Sequence, residues 1–173
     1  MADEVKKIVQ RSKRVAFMDT AETGGPEKYE RMTNFTSLTN AKNPKEYSRQ
    51  YVDEDAERSD VVGYAPSIDF SFDRHTNTPV HEKLAKIHDG ELLGNDTHVT
   101  ILSVDLFTED ESHTCDATKR TYAVIPDTDG DGTDALIYSG SFKSVSEIVK
   151  GKATSADGWK TATFQEETGG TDS

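Results

Sequence analysis

Residues Ser67 to Asp73 place Ile68, Phe70 and Phe72 on one side of an extended chain and Ser67, Asp69, Ser71 and Asp73 on the other. Successive side chains of a strand point to opposite faces, so this run predicts a strand with one buried face. Short alternating runs recur along the chain. Arg14 to Met18 sends Val15 and Phe17 one way, and Tyr29 to Thr36 predicts a second strand. In Glu46 to Val52, Tyr47, Arg49 and Tyr51 share a face, although neither face is plainly apolar. His98 to Phe107, Thr121 to Ile125, Ala135 to Ser139, Ser144 to Val149 and Trp159 to Phe164 complete the series. A helix is predicted in one place, 78–89: Thr78 and Pro79 form a start signal, Val80, Leu84 and Ile87 follow at helical spacing, and Gly90 is the stop. Many short strands and one helix predict a mainly β protein, an antiparallel sandwich or barrel with one flanking α-helix.

The core of that domain is small for the chain. Only 33% of the 173 residues are apolar and 30% are charged, whereas nearly half of a typical globular chain is apolar. Long segments are therefore solvated or find their partner elsewhere. The expected organisation is an N-terminal arm over 1–13 (a short helix or an irregular arm), a β-domain over 14–164, and a polar C-terminal tail over 165–173. The net charge of −12 disfavours tight binding to nucleic-acid phosphates or anionic membranes. It is uneven: residues 1–14 carry five basic and two acidic side chains, and the rest of the chain 15 and 30. No apolar run approaches the length of a signal peptide core or a membrane span.

Motifs for chemistry are sparse. Asp127-Thr128-Asp129-Gly130-Asp131-Gly132 opens like an EF-hand calcium loop, but Tyr138 stands where that loop needs a bidentate Glu. The segment reads as a tight strand connection, with Asp127, Asp129 and Asp131 as weak ion candidates. His81 and His88 share a helix face but lie about 10 Å apart by helical rise, too far to share one metal. All five histidines read as surface or capping groups. Cys115, the sole cysteine, permits no intrachain disulfide, and His113 nearby in sequence does not make it a nucleophile. The expectation is a chain without catalytic residues, metal or cofactor. Two other readings are a calcium-dependent β-sandwich binding module on Asp127–Asp134 and a hydrolase using Cys115 or a carboxylate pair.

Residues 46–73 stand apart, as two strand-like runs around a charged connection. Tyr47, Arg49, Tyr51, Val61, Val62 and Tyr64 sit among Asp53, Glu54, Glu57, Arg58 and Asp60. Aromatic, Arg and apolar groups within a polar rim suit a protein–protein contact, and these residues are assigned to a subunit interface. Tyr47-Ser48-Arg49-Gln50-Tyr51-Val52-Asp53-Glu54, Glu57 to Tyr64 and Ile68 to Asp73 resemble the long-loop region of major tail proteins from phages and prophages of Gram-positive bacteria. The order downstream, a short helix, a strand, an acidic loop and further strands, is similar too, as is Phe142-Lys143-Ser144-Val145 to Lys150-Gly151.

That resemblance implies a tail-tube subunit, a non-enzymatic virion protein. Six such subunits form a ring whose sheets join into an inner β-barrel, and rings stack into a tube that conducts DNA out of the capsid. The long loop crosses a subunit or ring boundary, and terminal arms add ring-to-ring contacts. Implied partners are further copies, a tape-measure protein, a tail terminator and a baseplate. Assembly takes place in the host bacterial cytoplasm. Similar tubes serve contractile tails, phage-tail-like bacteriocins and injection machines. An acidic lumen would repel phosphate, so that DNA slides without being held.

Overall fold

A computed structural model describes residues 5–22 and 24–167, with all side chains there except that of Asp131. The first four residues of the predicted arm and the last six of the predicted tail lie outside them. The protein is mainly antiparallel β-structure with one α-helix. In chain order the strands are β1 (Arg14–Asp19), β2 (Tyr29–Arg31), β3 (Phe35–Ala41), β4 (Pro44–Arg49), β5 (Arg58–Tyr64) and β6 (Ser67–Asp73). Helix α1 (Pro79–Asp89) follows, then β7 (His98–Asp105), β8 (Cys115–Asp131), β9 (Ile137–Ser144), β10 (Val149–Thr154) and β11 (Thr161–Glu166). The chain forms two compact units.

The first unit takes the described residues up to Thr33, Val99–Thr121 and those from Glu147 on. Its strands run β10-β11-β2-β1-β7-β8, and β8 also pairs with β10, which closes the set into a six-stranded barrel. Closure removes free edges. Val15, Phe17, Tyr29, Leu102, Val104, Cys115, Ala117, Ala153 and Ala162 form its core, with Trp159 and Phe164 packed against it. The core mixes large and very small side chains. On β10 the inward positions are Gly151 and Ala153. A Cβ on Gly151 would lie 2.2 Å from the Gln165 carbonyl oxygen and 2.6 Å from the Phe164 ring.

The second unit takes Asn34–His98 and Tyr122–Ser146. Its sheet runs β8-β9-β6-β3. Ile68, Phe70 and Phe72 are buried, as their alternation predicts. Phe70 stacks on Phe142 at 4.4 Å between centroids, and Phe72 on Tyr138 at 5.4 Å. Helix α1 lays Val80, His81, Leu84, Ala85 and Ile87 into the core, and the His81 ring lies 4.5 Å from that of Phe72. Strands β4 and β5 pair only with each other, as a separate two-stranded sheet.

Several strand limits differ from the sequence reading, each for a local reason. The predicted Tyr29–Thr36 strand is two strands, because Asn34 adopts φ +61° and turns the chain between β2 and β3. Arg58–Tyr64, read as part of a charged connection, is strand β5. Asp127–Asp131, read as a turn, is the end of β8, with irregular register on either side of Asp129. Val145 and Ile148 are exposed in a connection rather than in a strand. The true strand, β10, overlaps the predicted loop at 151–158, since its buried face is too small to register as apolar. The 5–10 segment is irregular, followed by a 3-10 turn at Arg11–Lys13. Thr78 sits at the N-cap without a capping hydrogen bond from its side chain.

Between β10 and β11, the Asp157 carboxylate accepts backbone N–H bonds from Lys160 and Thr161 at 3.1 and 3.0 Å and the Thr161 hydroxyl at 2.7 Å. These bonds hold its pKa down at about 2, led by the Thr161 N–H. They also support Trp159 at φ +67°, its ring 6.3 Å from Phe17. Two predictions follow from this unit. Gly151→Ala should cost roughly 1–3 kcal/mol by overpacking, read by urea unfolding; unchanged stability would show that β10 and β11 can separate. A carboxyl whose folded pKa is depressed adds stability above its unfolded value, about 3.9, and loses it as pH falls through the folded one. The thermal midpoint should therefore drop between about pH 4 and pH 2 more steeply in the wild type than in Asp157→Asn. Superimposable pH profiles would contradict this.

Candidate functional site

The residues assigned to an interface come together on the β4–β5 hairpin. Tyr47 pairs with Asp60, Ser48 with Ser59 and Arg49 with Arg58, and the register slips at Lys45/Glu46. The hydroxyls of Ser48 and Ser59 meet at 2.7 Å across the strands. On the Tyr47 face, the Arg49 guanidinium lies 5.3 Å from the Tyr47 ring centroid, within cation–π range. The strand ends at Arg49, so Tyr51 belongs to the tip and does not continue the Tyr47–Arg49 face. The tip is folded back by Glu54 N–H to the Tyr51 carbonyl, Gln50 Nε2 to the Glu54 carbonyl, and an Arg58–Glu54 ion pair at 2.5 Å. At the base, Asn43 takes φ +47° and its side-chain amide donates to the Ala65 carbonyl at 3.0 Å and to Ser67 Oγ at 3.1 Å.

Every residue of this set is exposed except half-buried Glu54. Val62 and Tyr64 keep about 60% of their surface, at 60% and 62%, and Val52 is fully out. A lone two-stranded hairpin is marginal in water, and among the described residues nothing covers an apolar face of this one. Tyrosines, valines and an arginine stand on it among Asp53, Asp55, Glu57 and Asp60.

The other candidate residues separate. Asp127, Asp129 and Asp131 do not form a calcium-type coil: they follow one another along the end of β8. Asp129 joins a donor cluster, and its companions are His88 and Asp89, from the end of α1. The expectation that all histidines are surface or capping groups fails for two of them. His81 is fully buried and its Nδ1 accepts the His75 backbone N–H at 2.9 Å. The His88 side chain is 12% exposed, with Nδ1 3.3 Å from Asp129. The His88–Asp129 pairing joins elements far apart in sequence, so no local motif signals it. His113 conforms to expectation, exposed and bonded to Glu109 at 2.7 Å.

Cys115 lies in the barrel core, fully buried, and burial followed by the charge of Glu109 pushes its thiol pKa up. Both effects oppose thiolate formation, which nucleophilic chemistry needs. The native protein should resist a thiol reagent such as DTNB at pH 8 and react fully in denaturant. Rapid labelling of native protein would place the thiol at the surface.

No protein-family model matches the chain, and no curated protein matches it in sequence. Among solved structures, the fold is similar to a chain in the cryo-EM structure of the anti-feeding prophage (AFP) baseplate, 6-fold symmetrised. The TM-score is 0.48 at 8% identity, over 86% of this chain and 97% of the other. Among the described residues, no helix is long and apolar enough to cross a membrane.

Proposed function

We propose that this protein is a non-enzymatic structural subunit that assembles with copies of itself into the tube of a phage tail or phage-tail-like particle. The observation that carries the reading is the β4–β5 hairpin, an ordered element that exposes Tyr47, Tyr51, Val61, Val62 and Tyr64 to solvent. Its sequence is also the segment that resembles the long loop of major tail proteins. Covering these side chains on a neighbouring copy accounts for the low apolar content of the chain. Strand β3 ends the sheet of the second unit, and an edge strand is a ready site for strand addition. Repeated head-to-tail contacts of this kind produce rings or filaments. In a hexameric ring stacked into a tube, the net charge of −12 keeps a DNA cargo from adhering to the wall. Tape-measure, terminator and baseplate proteins are the partners such a tube meets at its axis and ends.

The test is assembly. Purified full-length chain should form rings or tubes by negative-stain microscopy and sediment faster as concentration rises. The double substitution Val61→Asp with Tyr64→Asp should keep the far-UV circular dichroism of the wild type. It should raise the concentration needed for assembly by roughly thirtyfold or more, as expected when an interface loses about 2 kcal/mol. A wild-type chain that stays monomeric at millimolar concentration would sink the proposal, and unchanged assembly of the double variant would remove the hairpin from it.

A further inference from the structure

Helix α1 ends with His88 and Asp89, and the irregular end of β8 brings Asp129 to them. One donor atom from each residue lies within 4.8 Å of the other two, all within the second unit. His88 Nδ1 and Asp129 Oδ2 are 3.3 Å apart, long for a charge-assisted hydrogen bond. It is instead close to the roughly 3.4 Å between neighbouring ligands in a tetrahedral shell with bonds of about 2.1 Å. We propose that His88, Asp89 and Asp129 bind a divalent first-row transition ion of the zinc class, with water completing the shell.

Charge, orientation and donor chemistry support the assignment together. Two carboxylates sit at the C-terminal end of α1, where the helix dipole is negative and a cation is favoured. Among the described residues, no lysine or arginine forms an ion pair with either of them. Tyr138 holds two of the three donors in place. Its hydroxyl donates between the Asp89 carboxylate oxygens, at 3.1 and 2.9 Å, and its ring meets the His88 ring edge-on at 5.0 Å. Burial and the Asp89 bond raise the Tyr138 pKa, so it stays a donor. An outer-shell donor on a ligating carboxylate is the usual support of a metal site. The His88 ring presents Nδ1 to the Asp129 carboxylate. One imidazole and two carboxylates suit zinc-class ions, whereas calcium takes oxygen donors alone. The bound ion would pin the end of α1 to the end of β8.

Titration of chelator-treated full-length protein with zinc chloride in a calorimeter should show one equivalent bound. Cobalt(II) should give visible absorption bands of low coordination number. His88→Ala and Asp129→Asn should each abolish both signals, and Asp129→Asn keeps the side-chain shape, so it separates loss of a ligand from misfolding. Tyr138→Phe should weaken binding by roughly 10–100-fold with the cobalt spectrum retained, and His113→Ala should change nothing. Absence of zinc heat, or zinc binding that survives both ligand substitutions, would overturn the proposal. So would calcium binding that persists in His88→Ala, because it would put an ion on the aspartates at the end of β8 without the histidine.

Discussion

Phe72 is the contact on which the second unit depends. Its ring lies within 5.0 Å of Phe35, 4.5 Å of His81 and 5.4 Å of Tyr138, measured between centroids, and it is fully buried. Each neighbour comes from a different element: β3, α1 and β9. One aromatic side chain therefore sets the β3–β6–β9 register on one side and the seat of the helix on the other. A buried aromatic brings a large apolar area and a preferred ring geometry, which a chain with few apolar residues needs to use economically. Once α1 is seated, His88 and Asp89 arrive beside Tyr138 and Asp129 without any further device.

The first unit solves the same shortage in another way. Its barrel is narrow, and several inward positions hold Gly151, Ala117, Ala153 and Ala162 beside the larger Phe17, Tyr29 and Phe164. Closely approaching backbones replace bulky side chains as the source of packing. The Asp157 turn then swings Trp159 onto that core. The β4–β5 hairpin keeps Tyr47, Tyr51, Val61, Val62 and Tyr64 exposed.

Legibility followed side-chain size. β6 and α1 were plain in the sequence because Ile68, Phe70, Phe72, Val80, Leu84 and Ile87 advertise their faces. β10 was hidden because its buried face is Gly151 and Ala153, while exposed Val145 and Ile148 imitated a strand next to it. The hairpin's side chains, Tyr and Val among charges, could be named from composition, but β5 went unseen, since a strand paired only with its hairpin partner needs no apolar alternation. The donor cluster was one-third visible: Asp129 lay in a suspicious acidic run, whereas His88 and Asp89 looked like the ordinary end of a helix.

The sequence by itself determined the mainly antiparallel β class, the single helix with its start and stop, and a segment with more contact-type side chains than the chain can cover. Those properties are local, because they rest on alternation, helical spacing and composition. Only the tertiary structure decided that six strands close into a barrel, that β4 pairs with β5 and not with β6, and that His88, Asp89 and Asp129 share a few ångströms. Such outcomes depend on which distant segments can approach, and that is set by the small residues and ring contacts of the folded core, which carry no periodic signal along the chain.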